Sequence, residues 1–280
     1  MNEKRYIAAI DSGSTGIRAF LFDKAGSIVA REYERTQGFS PEPGALEHDP
    51  EGLWNAFLGV TSRLFASSGC SPSEVAAIGI SNQRGSFCLW ERDTGKPLIN
   101  FINWADVRAA DTVDRMNNLP KWKLIQAGAF LASRVSGDTM MWARSMLRFT
   151  TDHASCRLRW VLDRDPALAE RCGTGEVLFG TLGTWFVYKL SGGRLHLTDS
   201  SNAASTSLYN PFDLKWNGIF LKLFGIPEAI LPEVRDTAGD FGETDPGLFG
   251  VSIPIRAVAG DQMAALFGHC CFDAGEVKIF

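Results

Sequence analysis

The chain has 280 residues, 45% of them hydrophobic, with 28 basic against 32 acidic side chains and a formal net charge of −4. That length and apolar content can bury a substantial core in one large domain or two small ones. The basic residues look scattered, which argues against a nucleic-acid groove or an anionic membrane surface and leaves a small molecule as the expected partner.

Tyr6–Ile10 is the first apolar run. It is too short for a signal-peptide core, and no run approaches transmembrane length, so a soluble cytoplasmic protein is expected. The run leads into Asp11-Ser12-Gly13-Ser14-Thr15-Gly16-Ile17-Arg18 and then into a second apolar run at Ala19–Phe22. Strand-forming residues on both sides make this a tight hairpin with a carboxylate and a patch of hydroxyl and backbone N–H donors at its tip. Such a tip suits phosphate. Gly13 and Gly16 let backbone approach an anion, Ser14 and Thr15 donate, Asp11 can hold Mg²⁺, and Arg18 can reach phosphate oxygens. An ordinary Gly-Ser hairpin is the bland alternative.

Tyr6–Ile10, Arg18–Phe22 and Ser27–Glu34 predict three antiparallel strands. Asp49-Pro50-Glu51 supplies an N-cap, a first-turn proline and an early acid for a helix carrying Leu53, Trp54, Phe57 and Val60. Val75–Ser81 reads as a strand covered on both faces, and Phe87–Trp90 as another, closed by an Asp-Thr-Gly-Lys turn. From Asp106 to Arg171 the composition is helical, with Trp142, Met146, Phe149, Leu158, Val161 and Leu162 as expected core positions. Thr181–Leu190 predicts a further helix, stopped by Gly192-Gly193. Val251–Ala259 predicts a strand despite Pro254, leading through Gly260-Asp261-Gln262 into a last helix. The plan is mixed α/β.

The six cysteines have no C-x-x-C spacing and read as free buried thiols, adjacent Cys270 and Cys271 as core packing. A Walker A loop, a dinucleotide fingerprint, H-E-x-x-H and a nucleophile elbow are all missing. Asp261 stands where strand passes to helix. The helix dipole there favours its ionised form, so it is the candidate general base, with simple N-capping as the alternative.

Seven segments, in order along the chain, carry a resemblance. They are D-S-G-S-T at 11–15, P-G-A-L-E-H-D-P at 43–50, I-G-I-S-N-Q-R at 78–84 and F-G-T-L-G-T-W at 179–185, followed by T-D-S-S-N-A at 198–203, L-P-E-V-R at 231–235 and A-G-D-Q-M-A-A-L-F-G at 259–268. Together they resemble the FGGY carbohydrate kinases of glycerol kinase type. The spelling around Phe149–Trp160 is similar to the divergent glycerol kinase 5-like branch.

The resemblance implies an actin-like, ribonuclease H-like α/β domain, with a mixed central β-sheet flanked by helices. Residues 1–280 would be the N-terminal, substrate-binding domain. The family's C-terminal nucleotide-binding domain would lie past Lys278-Ile279-Phe280, so this stretch alone is expected to be inactive. It further implies ATP and Mg²⁺ as cofactors, glycerol as leading substrate, and room for a homo-oligomer. By motif, Asp11 is the Mg²⁺-associated carboxylate, Ser14, Thr15 and Gly16 lie on nucleotide phosphates, and Arg18 faces the transferring phosphate. Arg84, Asp261 and Gln262 would hold polyol hydroxyls, Asp261 doubling as base, with Trp104 as apolar wall.

Two positions depart from the pattern. Gly85 stands where glycerol kinases carry a glutamate that binds a glycerol hydroxyl, and Thr151-Asp152-His153 replaces a segment with a pocket tyrosine. A non-catalytic relative acting through binding or assembly is therefore the second functional reading.

Overall fold

A computed structural model describes residues 3–279. Strands β1 (Tyr6–Ser12), β2 (Gly16–Phe22) and β3 (Ile28–Arg35) form the expected antiparallel meander. The β1–β2 connection is the three-residue stretch Gly13-Ser14-Thr15, closed by the Gly13 amide donating to the Gly16 carbonyl at 3.0 Å. After the short β4 (Glu47–His48) comes α1 (Pro50–Ser68). The Asp49 carboxylate accepts from the amides of Glu51 and Gly52, and Gly69 ends the helix in the left-handed region. Leu53, Phe57, Val60 and Leu64, spaced at three and four residues, are buried against β1–β3.

Strand β5 (Val75–Asn82) runs parallel to β1. β6 (Phe87–Glu91) and β7 (Phe101–Ile102) follow, then five helices: α2 (Ala110–Asn118), α3 (Pro120–Ser136), α4 (Thr139–Met146), α5 (Ala154–Arg164) and α6 (Pro166–Thr174). β8 (Val177–Thr181) leads into α7 (Leu182–Leu190), and β9 (Leu197–Asp199) into α8 (Ser200–Ala204). A small hairpin of β10 (Tyr209–Asn210) and β11 (Lys215–Trp216), helix α9 (Gly218–Phe224), β12 (Glu233–Arg235) and α10 (Pro246–Phe249) precede β13 (Ile255–Gly260) and α11 (Asp261–Gly268).

The main sheet has the order β13-β5-β1-β2-β3, with β13, β5 and β1 parallel and the remaining pairs antiparallel. This is the mixed central sheet expected for a ribonuclease H-like domain. A second, antiparallel sheet has the order β4-β7-β6-β8. It separates two cores: Cys88, Trp90, Phe101 and Leu178 belong to the one that includes α1 and α7, while Phe87, Leu89, Ile102, Val177 and Phe179 belong to the other, with α5 and α9. Successive strand residues point to opposite faces, so a wall between two apolar compartments must be apolar at every position.

Several expectations need correction. The strand before Asp261 begins at Ile255, after Pro254, which has no amide to donate but whose carbonyl accepts from Ile78 at 2.8 Å. Trp142 and Met146 are not core: they are 54% and 63% exposed, on an α3–α4 hairpin that packs through its other face. Four cysteines are buried and free, but Cys270 is exposed and Cys271 only half-buried, because they follow α11 where the chain runs along the surface. β8 was not anticipated: its five residues, all buried, merge in sequence with the helix behind them.

Candidate functional site

Strand register brings the two ends of the chain together. Ser12, Asn82 and Gly260 stand in one row across β1, β5 and β13. Asp11 precedes that row on β1 and Asp261 follows it as the first residue of α11, so both lie at the same end of the parallel strands, with β5 between them. The Asp11 charge is felt at Asp261, whose carboxyl is pushed up from its ordinary value, chiefly by burial and to a lesser degree by that like charge. Its acceptance of the Gln262 amide at 2.7 Å and the nearby Arg84 act the other way. Burial thus outweighs the Gln262 amide and Arg84 together.

A cleft of about 430 Å³ opens here. Ser14, Arg84, Trp104, Asp261 and Gln262 line it, with Gly85, Asp152 and His153 along its wall. Arg84 donates through Nη2 to Oε1 of Gln262. Trp104 is 46% exposed, and its indole N–H donates to the Ser14 hydroxyl at 3.2 Å, while that hydroxyl donates to Gln83 at 2.8 Å. Ser14 therefore joins the hairpin tip to the cleft wall.

The other motif residues divide differently. Thr15 lines a second cavity of about 620 Å³ with Arg35, Thr36 and His48, and Ser14 borders both. Asp11 and Arg18 pair across the hairpin at 3.4 Å and lie outside the lining of the first cleft. Gly16 is buried, and a Cβ there would meet the Tyr33 ring at 2.5 Å and the Glu34 carbonyl at 2.7 Å. Packing of β2 on β3 demands that glycine whether or not an anion approaches.

Two positioning systems were not legible from spacing. The first is Asp199, fully buried, which accepts from the amides of Ser201 and Asn202 and from the hydroxyls of Ser201 and Thr237. The Ser201 hydroxyl in turn accepts from the Gly260 amide at 2.7 Å, immediately before Asp261. Asn202 and Asn82 exchange amide hydrogen bonds at 2.8 and 3.1 Å, tying the same unit to β5. Gly183 permits this approach, since a Cβ would sit 2.6 Å from the Asn82 side-chain oxygen.

The second is Arg157, fully buried on α5, for which no ion pair with a carboxylate is found among the described residues. It donates to five backbone carbonyls, those of Gly85, Ile102, Asn103, Thr151 and Asp152, at 2.7–3.1 Å. Burial lowers its pKa to about 10, which keeps it charged at neutral pH. One side chain thus holds three cleft-lining segments. Its only sequence signal is an arginine among the apolar positions of α5, Ala154-Ser155-Cys156-Arg157-Leu158. Beside it, burial lowers the His153 pKa. For Asp152 burial acts upward, but the Thr150 hydroxyl, His153 and Arg157 outweigh it and the carboxyl sits below its ordinary value.

A ribonuclease H-like sheet with Asp261, Arg84 and Gln262 in a polar cleft at its strand ends fits one class, the actin-like small-molecule kinases. The matches fall inside it. Residues 6–268 match the FGGY family of carbohydrate kinases, N-terminal domain. Glycerol kinase 5 of Danio rerio is 40% identical over 274 residues, covering 98% of this chain and 52% of that protein. The glycerol kinase of Carboxydothermus hydrogenoformans is 41% identical over 279 residues, with the same two coverages. A crystal structure of Plasmodium falciparum glycerol kinase with ADP superposes with a TM-score of 0.84 at 25% identity, covering 99% of this chain and 52% of that one. The chain belongs to the FGGY carbohydrate kinase family, and it spans about half the length of the relatives it matches.

Proposed function

We propose that this chain forms the substrate-binding half of an ATP-dependent polyol kinase, with glycerol converted to glycerol 3-phosphate as the leading reaction. The observation that carries this reading is Asp261 facing Arg84 and Gln262 in one cleft, with the Ser14 tip on its border. Arg84 and Gln262 hold the polyol hydroxyls, Trp104 covers the carbon chain, and Asp261 takes the proton from the attacking hydroxyl. Ser14, Thr15 and Arg18 lie toward the phosphates. Among the described residues no three metal-binding side chains gather. One carboxylate plus nucleotide phosphates is a usual Mg²⁺ environment, so Asp11 fits that part. When bound, the ion would offset charge on the transferred oxygens.

Gly85 and the Thr151-Asp152-His153 wall bear on the substrate. Loss of one charged hydrogen-bond partner costs about 1.5–3 kcal/mol, which is one to two orders of magnitude in glycerol affinity. Labelled-phosphate transfer from ATP to glycerol by the full protein tests the reading. Asp261→Asn is expected to lower kcat by about 10²–10⁴. The acid limb of kcat/KM is expected above the ordinary 3.8 of an aspartate, because a base with a raised pKa is lost earlier as pH falls. No transfer to any polyol would favour the binding or assembly reading.

A further inference from the structure

Helix α3 packs through one side and carries exposed apolar residues on the other. Trp122, Gln126, Ala129 and Ser133 form its packed stripe: Trp122 packs against Phe149 and Phe220, with ring centroids at 4.9 and 5.7 Å, and Gln126 donates to the carbonyls of Ser145 in the last turn of α4 and of Leu147 just after it. At 100° per residue, Leu124, Leu131 and Val135 fall on the far side of that stripe. They are 74%, 65% and 91% exposed, and Trp142 and Met146 add exposed apolar surface one turn apart on α4.

Charge on this hairpin departs from the rest of the chain. Residues 120–148 contain Lys121, Lys123, Arg134, Arg144 and Arg148 against the single acid Asp138, in a protein of net charge −4. Neither of the two cavities includes a residue of the hairpin. A symmetric second copy would bring two basic faces together. A fluid surface with anionic headgroups needs no pocket and is complementary to both the apolar stripe and its basic flanks.

We propose that the α3–α4 hairpin docks the protein onto an anionic lipid surface, lying in the interface with Leu124, Leu131 and Val135 inward and Lys123 and Arg134 at headgroup level. Among the described residues no helix is long and apolar enough to cross a membrane. The even scatter of charge read from the sequence concealed it.

Flotation of the full protein with phosphatidylcholine vesicles, with and without about 30 mol% phosphatidylserine, tests the proposal. The protein is expected to float with the anionic vesicles, less so at high salt. Lys123→Glu/Arg134→Glu should weaken binding about fivefold or more per charge, and Leu131→Asp/Val135→Asp should abolish it, with thermal midpoints unchanged in both. Absence of flotation, or equal flotation of the variants, would overturn it. So would an oligomer in sedimentation velocity that Leu131→Asp/Val135→Asp dissociates while no lipid is bound, since the face would then belong to a protein contact.

Discussion

Arg157 shows how much of the cleft hangs on a single group outside it. Its five carbonyl acceptors belong to the segments that carry Gly85, Trp104 and Asp152. A lysine has three donors on a flexible stem and cannot reproduce the planar fork. Arg157→Lys is expected to cost about 1–3 kcal/mol in stability, through carbonyls left unpaired, and to raise the polyol KM more than tenfold with a smaller change in kcat. A lower melting temperature with an unchanged KM would show that the residue merely supports the fold. Gly85 is constrained by the same clamp. It has φ +76°, and a Cβ there would lie 3.3 Å from the Asp152 carbonyl and 3.5 Å from Arg157 Nη2, so any side chain would enter strained. The acids themselves were legible in the sequence, because Asp11 and Asp261 end apolar runs beside turn residues. Arg157 was not, because nothing local distinguishes a buried guanidinium from a surface one.

At the level of elements, the β4-β7-β6-β8 sheet couples the two cores. Trp90 is fully buried and packs against Trp185, Tyr188 and His196, with centroids at 5.1, 5.4 and 5.6 Å. Trp90→Ala is expected to cost about 3–5 kcal/mol. Because one wall serves both compartments, urea unfolding should remain a single transition, with near-UV and far-UV circular dichroism superimposing; separated transitions would refute the coupling. The three-strand meander, α1, α7 and β5 were readable from capping residues and hydrophobic period. The central helices were readable only as helical, and their exposed side was misassigned. Periodicity says that a stripe is apolar, whereas whether a neighbour covers it depends on chain far away in sequence.

The whole molecule should be acid-sensitive above the range in which its carboxylates titrate. His196 is held down to about 4, by burial first and against the Phe179 carbonyl contact, and burial also lowers the pKa of His48. Folded-state values below the unfolded 6.5 mean that the unfolded chain takes up protons first. Stability is therefore complete above about pH 6.5 and declines toward pH 4, by on the order of 3 kcal/mol for His196. Melting temperatures between pH 7 and 4 measure this, and His196→Gln should flatten the slope; an unchanged slope would place its origin elsewhere. Fold class and family were legible across the chain because the motifs sit at strand ends, where backbone geometry allows few residues. One consequence of the shared register of Ser12, Asn82 and Gly260 extends to specificity. The spacing between the two acids is set by ladder pairing to β5, independent of which side chains furnish the surrounding walls. Those walls, at Gly85, Asp152 and His153, can therefore be refashioned to admit a different ligand while Asp11 and Asp261 stay where the backbone put them.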